Sequence, residues 1–220
     1  MLGLVAHVAG TIVLIVSALF PIVNPLGSAP IFLAYTRGAT PAERRSIALR
    51  VGSNSFILML ASMAIGSYVL RFFGISLPIV QVGGGLLVFA AGWNMFKHEE
   101  KDYANRATGD DSATHLMRKA FYPLTLPLTV GPGSIATAIT LGANLPPPGG
   151  GRLLLSLLAG SIGTFIVATT VFLSYAFAGR IARIIGPAGV GVVLRLSAFL
   201  LVCIGLQIVW NGITALVHGL

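Results

Sequence analysis

The chain has 220 residues, of which 55% are hydrophobic and 9% are charged, with a formal net charge of +8. A soluble domain of this length carries about 55 charged residues, so the 14 Lys and Arg and 6 Asp and Glu cannot clothe a soluble surface, and a disordered chain is excluded as well. One cysteine excludes an intramolecular disulfide and a Cys-rich metal site.

Six apolar segments follow in chain order, at about 3–36, 51–71, 77–97, 120–143, 153–178 and 193–217. All six acids, Glu43, Glu99, Glu100, Asp102, Asp110 and Asp111, fall outside them. Backbone in lipid must satisfy its own N–H and C=O groups, so apolar runs of this length predict helices. The run Leu153–Val171 lacks the alternation of a membrane-barrel strand. No Lys or Arg precedes the first run, and Pro21 and Asn24-Pro25 stand where a small-residue cleavage site would be, so segment one is expected to be retained.

Six crossings sort the basic residues by side. The loops after segments one, three and five hold eleven: Arg37, Arg44, Arg45, Arg50, Lys97, Lys101, Arg106, Arg118, Lys119, Arg180 and Arg183. The other side holds two, Arg71 and Arg152, while Arg195 stands at the expected start of segment six. The bias predicts both termini on the non-cytoplasmic side and the connecting loop 99–119 in the cytoplasm. Scattered basic residues without aromatic interleaving argue against nucleic-acid binding.

The halves resemble each other. At an offset of 106, Pro21, Gly27 and Ser28 meet Pro127, Gly133 and Ser134; at an offset of 114, Leu86, Leu87 and Val88 meet Leu200, Leu201 and Val202. Three helices per half invert the second half relative to the first. The expected architecture is therefore all-α, with six transmembrane helices arranged as two inverted-topology three-helix repeats, 1–98 and 120–220.

Segments one and four carry clustered helix breakers. Segment one, read as a single helix, would span roughly 51 Å against a hydrocarbon core of about 30 Å. It is expected to break at Pro21, Asn24-Pro25, Gly27 and Pro30, and segment four at Pro123, Pro127 and Gly131-Pro132-Gly133. Each break frees carbonyls on one half-helix and N–H groups on the next. Ser28 and Ser134 are expected helix N-caps. Two facing N-termini would cradle a carboxylate and freed carbonyls an ammonium, so backbone dipoles could hold a zwitterion without an ionised side chain.

The runs Asn24-Pro-Leu-Gly-Ser-Ala-Pro-Ile-Phe-Leu, Gly74-Ile-Ser-Leu-Pro, Val82-Gly-Gly-Gly-Leu-Leu-Val, Pro127-Leu-Thr-Val-Gly-Pro-Gly-Ser-Ile-Ala and Arg195-Leu-Ser-Ala-Phe-Leu-Leu-Val-Cys-Ile-Gly-Leu-Gln resemble the MarC family over nearly the whole chain. That family includes the SnatA-type transporters of small neutral amino acids. The resemblance implies a six-helix inverted-repeat inner-membrane protein, with transport of glycine, alanine or similar amino acids in some members of the family. It carries a substrate-binding role onto Asn24, Gly27, Ser28, Gly131, Gly133 and Ser134. Gln81 stands where some relatives are expected to have a basic residue, which weakens any repeat-related basic pair with Arg195.

Other residues are read conservatively. Gly83-Gly84-Gly85 are expected to let a neighbouring helix approach. Asn54, Asn94 and Gln207 are expected to bridge helices, and Thr137 and Thr140 to bond back to their own helix. Cys203 is expected to pack, and Trp93 and Trp210 to lie in the core or at the membrane interface. His7, near the outer end of segment one, is expected to be interfacial; His98, His115 and His218 form no metal-ligand spacing. No cofactor or metal is expected, and a homo-oligomer stays open. An enzyme is not expected, because Ser28 and Ser134 lack an acid or a suitably placed His within their segments. A channel-like or LysE-type exporter of another small solute, and a membrane assembly protein without transport, remain as alternatives.

Overall fold

The computed structural model describes residues 2–97, 119–144 and 151–218, and all the elements below lie among them. The connecting loop 99–118, His98 and His115, and the Pro-Gly turn 146–150 lie outside the described residues, as does the side chain of His7.

Helix α1 spans Leu2–Val23 and α2 spans Pro25–Tyr35. A turn pinned by Arg44, which donates to the Thr36 and Ala39 carbonyls at 3.0 and 3.3 Å, leads into α3, Pro41–Phe72. Thr40 and Glu43 form a complete capping box at its start. Helix α4 covers Leu77–Lys97. After the connecting loop comes α5, Ala120–Thr129, a wide irregular segment, then α6, Pro132–Ala143, α7, Gly151–Ala176, and α8, Ala178–His218.

Four helices are long and apolar enough to cross a membrane, and six crossings result if each of two bent pairs is one span. The bent pairs are α1 with α2, at 41°, and α5 with α6, at 68°. These are the segments in which the breakers cluster. The outer surface is apolar: Ile57, Phe165 and Val192 are more than half exposed, as a lipid-facing wall requires.

The interior forms around the breaks. Phe32 of α2 stacks on Tyr175 of α7, with ring centroids 4.4 Å apart and planes 14° from parallel. Ile15, Leu19 and Val23 of α1 and Met59 of α3 bury into the same core. Small residues set the helix separations, as they do where lipid supplies no hydrophobic drive for association. A Cβ on Gly85 would lie 2.8 Å from the Gly205 carbonyl oxygen, so α4 and α8 run backbone to backbone. Gly84 packs against Ala136 of α6, while Gly83 faces open space. The expected glycine contact therefore belongs to two of the three.

Several boundaries differ from the sequence expectation. Helix α3 starts ten residues ahead of segment two, because hydrogen bonding continues through the charged turn of Arg44, Arg45 and Arg50 beyond the apolar stretch. Helix α8 also starts early, and contains a break that the sequence reading missed: Gly186 adopts φ 68° and ψ 173° ahead of Pro187. Arg180 and Arg183 thus lie on a helical stretch and not in a loop, and Arg195 lies inside α8 and not at its start. Cys203 and Trp210 face outward from α8, and Trp93 is half exposed under the Lys97 ammonium. None of the three is a core residue.

Candidate functional site

The two breaks are built differently. Asn24 ends α1 in the left-handed region, φ 49° and ψ 56°, which Asn tolerates better than most side chains. The sequence expectation was only that a residue before proline leaves the right-handed helix. Its side-chain Oδ1 accepts from the Gly27 N–H at 3.2 Å, and its carbonyl accepts from the Ser28 N–H at 3.0 Å. Asn24, not Ser28, is therefore the N-cap of α2. Its Nδ2 is buried without a partner.

The second break is longer. Tyr122 (φ −125°, ψ 124°) and Leu126 (φ −110°, ψ 127°) are extended, as residues before Pro123 and Pro127 are driven to be. The Thr125 and Thr129 hydroxyls donate to the Ala120 and Leu124 carbonyls five residues back, both at 2.6 Å. Helix α6 then starts from Gly131, an extended N-cap whose lack of a side chain leaves the helix end uncapped. Ser134 is the third residue of the helix and not its cap. Pro132 has no N–H, and the first helical bond runs from Ile135 N–H to the Gly131 carbonyl. The N–H groups of Gly133 and Ser134 are thus the free donors of this helix end.

A cavity of about 380 Å³ lies between the breaks. Asn24, Ser28, Gly131, Gly133 and Ser134 line it, together with Thr129 and Asn94. Gly27 does not line it. Its Cα faces the Asn24 side chain and the Ser197 hydroxyl of α8, and a Cβ there would run into both. None of the described residues lining the cavity is ionisable. Its size is near the lower end for small-molecule sites. The surroundings combine free backbone N–H groups, hydroxyls and amides on apolar walls, a donor and acceptor set that suits a small polar solute.

A second cavity, of about 290 Å³, is lined by Gln81, Thr137, Thr140 and Asn211. Ile22 lines both cavities. Along α4 and α6, the contact of Gly84 with Ala136 lies between them. The Thr140 hydroxyl donates to the Ala136 carbonyl at 2.9 Å, the expected bond to its own helix. Asn54 bridges α3 to α5 through Thr125 at 3.4 Å, as expected of an interhelical amide. Gln207 does not bridge helices: it bonds Asn211 within α8. Asn94 faces the larger cavity.

Sequence reasoning missed Tyr175. Its hydroxyl is 2.8 Å from Thr129 Oγ1 and its ring stacks on Phe32 of α2, so one buried side chain touches both bent pairs. A lone Tyr in an apolar run carries no local signal of such a role.

A helical membrane protein with paired broken spans around an uncharged cavity is the class that this geometry defines. The profile of the MarC family integral membrane proteins matches residues 9–217, and the chain belongs to that family. It is 31% identical over 206 residues to the inner membrane protein MarC of Escherichia coli strain ATCC 8739, covering 90% of this chain and 92% of that protein. The MarC proteins of strains SMS-3-5 and K12 are 30% identical over the same length, with the same coverage. No solved structure matches the chain significantly.

Proposed function

We propose that this protein is an inner-membrane transporter of small neutral amino acids, glycine or alanine in type, acting by secondary transport or efflux. The observation that carries the reading is the uncharged cavity between the two breaks, lined by Gly133 and Ser134, whose N–H groups are free, and by Ser28 and Thr129 with their hydroxyls. A carboxylate suits the helix N-terminus, and an ammonium suits hydroxyl and amide oxygens. Neither needs a buried ion, which would be costly in a membrane.

The arrangement fits two three-helix repeats, 1–98 and 120–220, in inverted orientation around the site, joined by the connector 99–119. The basic residues favour both termini on the non-cytoplasmic side. Ile22 and the Gly84–Ala136 contact, lying between the two cavities, would form the barrier that a transported solute passes.

Uptake of labelled glycine and alanine into proteoliposomes tests the reading, with saturable transport as the expected result. No movement of any neutral amino acid across a broad panel would overturn it. Transport that never saturates would favour the channel-like alternative.

A further inference from the structure

We propose that the first stretch of α8, residues 178–185, is an interfacial helix that binds the headgroups of anionic phospholipids through Arg180 and Arg183. The surface is independent of which solute the cavity takes.

Helix α8 has 41 residues, which is roughly 61 Å of helix against a hydrocarbon core of about 30 Å. The bend at Gly186, with φ 68° ahead of Pro187, divides its first stretch from the rest. That stretch lies at one end of the bundle. A Cβ on Gly179 would stand 3.7 Å from Arg44 Nη1 and 3.9 Å from Leu33 Cδ1, so Gly179 packs where α2 ends and α3 begins. Ala182 packs against the cluster of Ile31, Val190 and Leu194, which Tyr35 and Met95 also join from the last turns of α2 and α4.

At 3.6 residues per turn the stretch has three faces. Ala178, Gly179 and Ala182 share the first, which is packed on the protein; Ala178 is buried in the main core. Phe177, Ile184 and Ile185 share the second, and they are 49%, 77% and 39% exposed. Arg180 and Arg183, three residues apart and both exposed, form the third, between the other two. Arg183 Nε donates to the Gly179 carbonyl of its own helix at 3.3 Å. Neither arginine pairs with a carboxylate among the described residues, where the one acid, Glu43, is bonded to Thr40.

Apolar side chains beside guanidinium groups, on a helix at the end of a membrane bundle, are the pattern of an element lying in the headgroup layer. An anionic phospholipid matches both parts: its phosphate suits a guanidinium, and its acyl chains cover Ile184 and Phe177. Free phosphate would meet the arginines and leave the apolar face in water, while a zwitterionic lipid would cover that face without a net charge for the arginines. The surface is also continuous with a wall of the larger cavity, since Ile31 both touches the cluster that Ala182 joins and lines the cavity.

The test titrates phosphatidylglycerol into the full-length protein in neutral detergent micelles and follows the unfolding temperature, with phosphatidylcholine and inorganic phosphate as parallel titrants. Phosphatidylglycerol should raise the unfolding temperature, phosphatidylcholine much less, and inorganic phosphate not at all. Arg180→Gln combined with Arg183→Gln should raise the half-saturating phosphatidylglycerol concentration by about fivefold per arginine. Arg45→Gln combined with Arg50→Gln, which removes two exposed charges from α3, should weaken the response far less. Should the Arg180 and Arg183 variant fail to fold, the wild-type protein gives the answer through salt: the half-saturating concentration should rise several-fold between low salt and about 0.5 M salt, where exposed charges are screened. An equal response to phosphatidylcholine would reduce the surface to apolar contact, and an equal response to phosphate would make it a free-anion site; either overturns the proposal. So would no response to phosphatidylglycerol, an unchanged response in the Arg180 and Arg183 variant, an equal loss in the Arg45 and Arg50 variant, or indifference to salt.

Discussion

At the first break the chain turns on one residue, Asn24, which caps the helix that it opens; α1 and α2 diverge by 41°. At the second, α5 and α6 diverge by 68°, the approach is irregular over two prolines, and the new helix has no side-chain cap. The two sites match in sequence position but differ in what they leave unsatisfied. The first uses its own amide oxygen to satisfy a free N–H and leaves an Asn24 Nδ2 without a partner. The second leaves backbone N–H groups open at the cavity. Breaks that look equivalent as strings of Pro and Gly are therefore not equivalent as binding groups.

The largest expected effect comes from filling the glycines. A side chain at Gly133 would run into Val88 and intrude on the cavity, so Gly133→Leu should abolish alanine binding in protein that still inserts, as read by binding to detergent-purified material. Gly27→Leu should also abolish binding, but by displacing Asn24 and pressing on Ser197, and should therefore lower the unfolding temperature as well. Unchanged binding in both variants would remove the paired-break site altogether.

Next in size is Asn24. Asn24→Ala removes both the cap and the tolerance for a left-handed backbone, with a cost of about 1–2 kcal/mol in unfolding experiments. Asn24→Gly keeps the backbone freedom and should cost only a few tenths of a kcal/mol, roughly the value of a replaced cap. Equal costs would mean that the corner does not depend on the left-handed conformation.

The contrasting substitution at the second break is Gly131→Ala. Gly131 sits at φ −83°, open to any residue, and an added Cβ would meet only the Pro127 carbonyl oxygen, at 3.2 Å. Its stability should change by less than about 1 kcal/mol. A loss as large as that of Asn24→Ala would show the two breaks to be equally constrained. Smallest of all is Thr140→Val in the second cavity, whose hydroxyl is already bonded to its own helix. Transport should be unaltered and stability should stay within about 0.5 kcal/mol; a large drop in uptake rate would place Thr140 on the route of the solute.

Much of this was legible from particular residues. The span 77–97 coincides with α4, and 120–143 with α5 and α6 together, because Pro, Gly and apolarity change together at those ends. The ends of α3 and α8 were not found from apolarity, which marks the lipid core and not the limit of helical hydrogen bonding. The capping box of Thr40 and Glu43 was the available signal for α3, and Gly186-Pro187 for the bend in α8. Ser28 and Ser134 were misplaced as caps because capping depends on which residue takes the non-helical backbone angles, and neighbouring Asn24 and Gly131 took them.

Composition and breaker pattern, with no knowledge of contacts, determined that the chain is helical and membrane-embedded, that two of its spans are broken, and that no acid lies within an apolar segment. These follow from local physics: lipid demands internally bonded backbone, and proline and the residue before it interrupt the helix wherever they occur. Tertiary structure decided which break is capped, that Gly27 faces Asn24 and Ser197 and does not line the cavity, and that Tyr175 joins Phe32 to Thr129. That meeting depends on a ring stack and a pair of hydroxyls brought together from α2, α5 and α7, and no spacing along the sequence encodes it.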